Sequence, residues 1–235
     1  MEGILLVDKP VDWTSFDVVN YVRRMVADIE GKKPRNVKVG HTGTLDPAAT
    51  GLLVLCVGKY TKKVPQLIKQ DKTYEVELTL GKTSTTGDKK GVITDWGLET
   101  EDRIIPETQE VQEAIRSFVG EIEQTPPIYS AIKINGKRAY ELARAGKPVV
   151  MQPRKVTIYS IENTEYDYPK IKFEAKVGSG TYIRSLAEDI GRELGVGAYM
   201  SDLRRTSVGD ATLAQAYSVS DITKELLQKI LATTE

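Results

Sequence analysis

The chain's single histidine, His41, stands five residues before an acid, Asp46, in the stretch GHTGTLDPAATG, residues 40–51. An imidazole and a carboxylate so close together invite a nucleophile-and-base reading, but no G-x-S-x-G elbow accompanies them. One Cys and one His cannot build a four-ligand zinc site, so metal catalysis would rest on carboxylates alone. Cys56, inside the apolar run LLVLCV, reads as a small buried hydrophobe, with a thiol activated by His41 as the lesser alternative. No Walker loop and no G-x-G-x-x-G occurs, so neither a nucleoside triphosphate nor a dinucleotide is implied. What remains is a lone carboxylate in a loop, isolated arginines, and tyrosines at strand edges. Such a set suits base chemistry on nucleic acids or glycosyl-bond chemistry, although an ordinary glycosidase needs two acids. The local alternative is that Asp46-Pro47 merely opens a turn.

The elements around the loop follow from periodicity. Gly40, Gly43, Pro47 and Gly51 break any helix through residues 40–51, so the segment is a loop. Apolar GILLV, residues 3–7, predicts a buried strand before it. Thr14 and Ser15 offer N-cap oxygens to a helix bearing Val19, Val22, Val26 and Ile29 on one face, ended at Gly31. TGLLVLCVGK after the loop predicts a second buried strand, and the alternation in TYEVELTL, residues 73–80, a half-buried one. Further on, helices are expected at 107–118, 140–145, 181–194 and 221–231. Strands are expected at 155–161 and 170–177, and Asn135-Gly136 marks a hairpin. Helices and hairpins interspersed without regular strand-helix alternation predict an α+β fold with a mixed, mainly antiparallel sheet. At 235 residues the chain is expected to be a single domain, with 95–150 as an insertion or subdomain.

Charge is balanced at 33 basic and 33 acidic residues, yet it is segregated. Residues 133–155 hold seven Lys and Arg against Glu141 alone, while 95–123 hold nine acids against Arg103 and Arg116. Segregation of this kind can give one face a positive field at zero net charge, as polyanion binding requires. The plain alternative is a pair of solvated faces. MEGILLVDKP has acids on both sides of its apolar run, unlike a signal or transit peptide, and no stretch is apolar enough to span a membrane; a cytoplasmic location is expected.

Six stretches in order, DKPVDWTS, GHTGTLDPAATG, KTYEVELTLGKTSTTGD, PPIYSAIKINGKRAYELARAG, GTYIRSLAEDIG and LRRTSVG, resemble the TruB-type tRNA pseudouridine synthases over residues 3–209. The resemblance implies the pseudouridine synthase fold, a curved mixed sheet with a central RNA-binding cleft. It implies isomerisation of uridine 55 in the T-loop of tRNA, without metal or cofactor, by a monomer whose partner is the T-arm stem-loop. Asp46 matches the family's catalytic aspartate, acting as nucleophile at the sugar or as the base that removes the 2′ hydrogen. Arg184 matches the arginine that pairs with that acid, and Tyr74 the active-site tyrosine that stacks on the flipped uracil. His41 matches the histidine that fills space opened in the RNA loop.

Thr44, Asp88, Tyr129, Lys133 and Tyr140 are carried over as substrate-binding positions. Lys9, Arg204 and Arg205, with Lys59, Lys62, Lys63 and the basic stretch, are expected to supply phosphate contacts. Only about 25 residues follow Gly209, too few for the C-terminal PUA domain of many relatives, so none is expected. The family's usual T-D-T is here Ser84-Thr85-Thr86, and its Cys-Ser-Lys is Val177-Gly178-Ser179, which bears on rim contacts only. The competing readings are an RNA-binding or tRNA-folding module with secondary catalysis, and a guide-dependent subunit of the H/ACA type.

Overall fold

The computed structural model describes residues 1–97, 105–134 and 136–231. In chain order it runs β1 (Gly3–Lys9), α1 (Ser15–Ile29), β2 (Val39–His41), β3 (Thr50–Val57), α2 (Val64–Leu67) and β4 (Lys72–Leu80). Then come β5 (Lys82–Ser84), β6 (Ile93–Asp95), α3 (Thr108–Ser117), β7 (Gly120–Gln124), β8 (Lys133–Ile134), β9 (Lys137–Arg138) and α4 (Ala139–Arg144). The chain closes with β10 (Arg154–Asp167), β11 (Lys170–Val177), α5 (Ile183–Glu193), β12 (Ala198–Val208), β13 (Ala211–Thr212), β14 (Tyr217–Ser218) and α6 (Lys224–Leu231). The fold is α+β, with mixed and mostly antiparallel strand pairing, as the interspersed pattern predicts. It divides into two compact units, Met1–Tyr74 with Leu203–Glu235, and Glu75–Asp202; the boundaries cut through β4 and β12.

The first unit is built on β3. One edge of β3 pairs antiparallel with β1 along its whole length, from Gly3↔Val57 to Lys9↔Gly51. The other edge is shared by β2, antiparallel with His41 opposite Leu55, and by β12, parallel with Arg205 opposite Gly51. The loop at residues 42–49 therefore joins two neighbouring strands. Gly51 is a glycine for two reasons. Its φ is +97°, and a Cβ there would lie 2.3 Å from the Arg205 carbonyl oxygen.

β3 is buried on both faces, which is why its sequence is a continuous apolar run instead of an alternating one. Leu53, Leu55 and Val57 face a core shared with Leu5, Val7, α1 and α6, while Leu52 and Val54 pack with Val208 on the other face. From α1 the core receives Val18, Val19, Val22 and Val26, each fully or almost fully buried. At about 1.5–3 kcal/mol per buried side chain, these four valines fix α1 to the sheet more strongly than helix propensity does. α1 starts with a capping box: the Thr14 hydroxyl accepts from the Asp17 N–H at 3.0 Å, and the Asp17 carboxylate accepts from the Thr14 N–H at 2.8 Å.

The second unit orders its strands β4-β11-β10-β7, with β11, β10 and β7 antiparallel. Val76, Leu78, Leu80, Ile158, Ile171, Phe173, Leu186 and Ile190 are buried there. β8 and β9 form the expected hairpin; Asn135 of its turn lies outside the described residues, as do residues 98–104 of the acidic stretch. β12 has no counterpart among the predicted elements. Among the described residues no helix is long and apolar enough to cross a membrane.

Candidate active site around Asp46

In the first unit, the loop at residues 42–49 is fastened along its backbone. The Thr42 N–H donates to Val54 O at 3.0 Å, which extends the β2–β3 ladder past His41. The Gly43 carbonyl accepts from Arg205 Nη2 at 3.0 Å. The Leu45 N–H donates to Ser15 Oγ at 2.8 Å, and the same hydroxyl donates to Leu45 O at 3.0 Å. Pro47 O accepts from the Asp12 N–H at 2.8 Å, and the Ala49 N–H closes a turn on Asp46 O at 3.0 Å. Leu45, Ala48 and Ala49 are buried, while Thr44 and Pro47 are exposed and Asp46 is half-buried. Asp46 thus sits on a segment tied before the acid to α1, β3 and β12, and after it to the Asp12 backbone.

Three cations lie buried in the same unit. Lys9, at the end of β1, is 0% exposed and donates from Nζ to Pro10 O at 2.8 Å and Trp13 O at 2.6 Å. Arg205, on β12, is 1% exposed and donates from Nε to Leu52 O at 2.7 Å as well as to Gly43. Lys72, at the start of β4, donates to Ile68 O at 3.1 Å and to Gln70 O. A Cβ on Gly43 would lie 3.4 Å from Arg205 Nη1 and 3.5 Å from Lys72 Cε, so the loop rests directly on two of these side chains.

Burial depresses both lysines, each to about 8. The Asp46 carboxylate, and after it Asp12, pulls Lys9 back up, whereas the Arg205 guanidinium pushes both lysines further down. His41 is half-buried, and burial first and Arg205 second hold its imidazole below the usual value, so it is neutral at pH 7. Its Nδ1 accepts from the Gly43 N–H at 3.3 Å, which leaves the proton on Nε2. A neutral planar ring and a half-buried carboxylate are thus carried on one fastened segment that rests on buried cations.

Two of the side chains expected at phosphates are buried. Lys9 and Arg205 are sealed from solvent and committed to backbone carbonyls, Lys9 to Pro10 and Trp13 and Arg205 to Leu52 and, in the loop itself, Gly43. Arg204 is partly exposed and paired with Asp8 at 2.7 Å. Asp88 is also withdrawn from a ligand: it is buried, and its Oδ1 accepts from the Thr86 hydroxyl at 2.7 Å and the Lys90 N–H at 2.9 Å, closing its own turn. Charge is visible in a sequence, but the solvation of the charge is not. Lys59, Lys62 and Lys63 are exposed as expected.

Tyr74 is 7% exposed on β4. In the second unit, Arg184 is 5% exposed in the first turn of α5 and donates from Nη1 to Thr86 O and from Nη2 to Tyr129 O, both at 2.9 Å. Tyr129 therefore contributes its backbone to that unit's structure. Lys133 is exposed in the β8–β9 hairpin. The Tyr140 ring centre lies 5.8 and 5.5 Å from the Arg138 and Arg144 guanidiniums.

Two positions escaped the sequence reading. In the sequence Ser15 reads only as a cap, whereas Thr14 fills that role and frees the serine hydroxyl for Leu45. Lys72 was detectable: the inward parity of Tyr74, Val76 and Leu78 extends back to it. Among the described residues no three His, Cys, Asp or Glu side chains cluster as a metal site.

Residues 31–183 match the family model described as TruB family pseudouridylate synthase (N terminal domain), and residues 184–233 the one for the tRNA pseudouridylate synthase B C-terminal domain. The chain is 43% identical over 232 residues to tRNA pseudouridine synthase B of Clostridium kluyveri, covering 98% of this chain and 75% of that protein. It is 42% identical to the protein of the same name from Parabacteroides distasonis, covering 99% and 96%. Among solved structures it resembles a Cbf5-Nop10-Gar1 complex, with a TM-score of 0.69 and 27% identity over 99% of this chain and 57% of that one. It also resembles an H/ACA RNP bound to a substrate RNA containing 2′-deoxyuridine, with a TM-score of 0.68 and 26% identity over 96% and 54%. The chain spans about half the length of those two solved chains.

Proposed function

The chain belongs to the TruB family of pseudouridylate synthases, and from that premise we propose that it isomerises uridine to pseudouridine in tRNA, at position 55 of the T-loop. The observation that carries the reading is the fastening of the Asp46 loop, with the β3 backbone, Arg205 and Ser15 bonded to Thr42, Gly43 and Leu45 before the acid and the Asp12 N–H bonded to Pro47 after it. A catalytic carboxylate must be held to within a fraction of an ångström, and a loop tied to rigid elements at this many points meets that demand.

The reaction conserves every atom of the base and sugar. The N1–C1′ bond breaks, the uracil turns, a C5–C1′ bond forms, and the C5 proton leaves as N1 gains one. Asp46 serves either by attacking C1′ or by removing the 2′ hydrogen, and both roles require it ionised. Lys9 is a cation within electrostatic reach of that charge. The target base must first be extruded at a cost of a few kcal/mol. His41, planar and neutral, is suited to stack in the space the extruded base leaves. Tyr74 is assigned to the uracil face and to the departing C5 proton, and Arg184 to the same reaction. Lys133, Lys137, Arg138 and Arg144 are exposed for phosphate contact. In this reading the enzyme works as a monomer in the cytoplasm, and the T-arm stem-loop suffices as substrate.

Tritium release from a C5-tritiated T-arm stem-loop tests the proposal. Wild-type protein should release tritium and Asp46→Asn should not, with RNA binding retained in both. Binding without release by the wild type would overturn it.

A further inference from the structure

A cleft of about 730 Å³ opens in the first unit between α1, β2 and the short helical turn at Pro34–Asn36. Four cations line it, Arg23, Arg24, Arg35 and Lys38, and the lining holds neither a carboxylate nor an aromatic ring. Arg24, Arg35 and Lys38 are exposed, and among the described residues none of the three is paired with an acid. Arg23 is fixed in place. Its Nη1 donates to Asn20 Oδ1 at 2.7 Å, its Nη2 to Val39 O at 3.1 Å, and its guanidinium lies 5.6 Å from the Phe16 ring centre. Gly40, next to His41 on β2, forms part of the wall.

We infer that this cleft is a second RNA subsite, which takes backbone phosphates of the tRNA outside the T-loop. The inference rests on the tRNA reading above and assigns residues that reading does not use. Four like charges gathered without counter-charge repel one another, and a polyanion removes that cost. Three of the four are arginines, whose planar forks fit phosphate oxygens in pairs. The absence of aromatic side chains argues against a stacked base, and so against a free nucleotide. A single inorganic phosphate would leave most of the volume empty and most of the charge unmatched. A run of backbone phosphates matches both, and Gly40 leads that run directly to His41.

The test uses full-length unmodified tRNA, with Arg24→Gln, Arg35→Gln and Lys38→Gln combined in one variant; all three side chains are on the surface, so folding is not at stake. The affinity should fall on the order of tenfold at moderate salt, and the slope of log K against log salt should shrink by about 2. A control with the same charge change at exposed Lys172, Lys176 and Lys224 should keep the wild-type slope within about 1. Equal losses in the two variants would mean that net charge alone matters, and would overturn the proposal. So would unchanged tRNA affinity together with calorimetric binding of inorganic phosphate that only the cleft variant loses. Because the readout is binding, a wild type that binds tRNA but forms no pseudouridine sinks the proposed activity and leaves this inference standing. An active wild type with an indifferent cleft variant sinks this inference alone.

Discussion

The Ser15 hydroxyl and the Leu45 backbone exchange two hydrogen bonds, donating to the carbonyl at 3.0 Å and accepting from the N–H at 2.8 Å, across thirty positions of sequence. Both residues are buried, so the pair is shielded from water. Ser15→Ala should leave the Leu45 N–H and carbonyl unsatisfied and destabilise the protein by about 1–3 kcal/mol, read from urea unfolding. The same variant should lower kcat for pseudouridine formation with little change in KM, because it loosens Asp46 and removes no RNA contact.

Arg205→Lys keeps the positive charge and loses the fork that joins Leu52 O to Gly43 O. The expected result is a fall in kcat of about 10–100-fold, in line with the cost of about 1 Å of misplacement. Single-turnover rates at saturating RNA report it.

Gly51→Ala tests the closest backbone approach in the first unit. The left-handed φ alone costs about 1–3 kcal/mol, and the Arg205 carbonyl must also move. A large drop in the urea midpoint is expected, with activity lost alongside stability because the same shift displaces the end of the catalytic loop.

Burial leaves Lys9 with a pKa of about 8 against an ordinary 10.5. Between those values the unfolded chain binds a proton that the folded protein has released, so this lysine's contribution to stability rises with pH from about 8 to 10.5. Below pH 8 the full cost of burying the charge remains. Lys72 acts in the same sense. The urea midpoint of the wild type, measured relative to Lys9→Met, should therefore increase between pH 7.5 and 10; a flat difference would remove the buried-ammonium account.

His41 is the chain's only histidine, so its ring protons give one unambiguous NMR signal. Burial and Arg205 hold its pKa below 6.5, and the unfolded chain therefore takes up the proton first. The stability it contributes is complete above pH 6.5 and is lost as pH falls through the window below. A titration midpoint at or above 6.5 in the folded protein would contradict the neutral ring assigned to RNA stacking.

What the sequence disclosed was local or repetitive. The Thr14/Asp17 cap, the apolar run of β3 and the alternation of β4 each write their structure in adjacent residues, and the structure has them in place. The loop is legible only in its middle, where Gly43 and Pro47 stand: the expected span of 40–51 is too long, because Gly40 pairs in β2 and Gly51 in β3. β12 was not legible: Arg204 and Arg205 interrupt its apolar content, and only tertiary contacts to Asp8, Leu52 and Gly43 make charged residues acceptable there. Lys9, Arg205 and Asp88, expected among the RNA-contacting residues, are buried, which their residue types do not reveal. A charged side chain looks identical in sequence whether it meets water or a buried partner, close in sequence for Lys9 and Asp88 and 153 and 162 positions away for Arg205.

Cys56 lies at the middle of this arrangement, fully buried on β3 with Ile4 of β1 on one side and Gly40 of β2 on the other. Burial pushes its thiol up, so in the closed protein it is both hidden and poorly nucleophilic. A thiol reagent can reach it only when the strand that carries the catalytic loop comes away from its neighbours. The protein thus holds an internal clock: the rate at which a thiol reagent labels Cys56 counts the openings of the platform beneath Asp46, in the native chain and with no residue substituted.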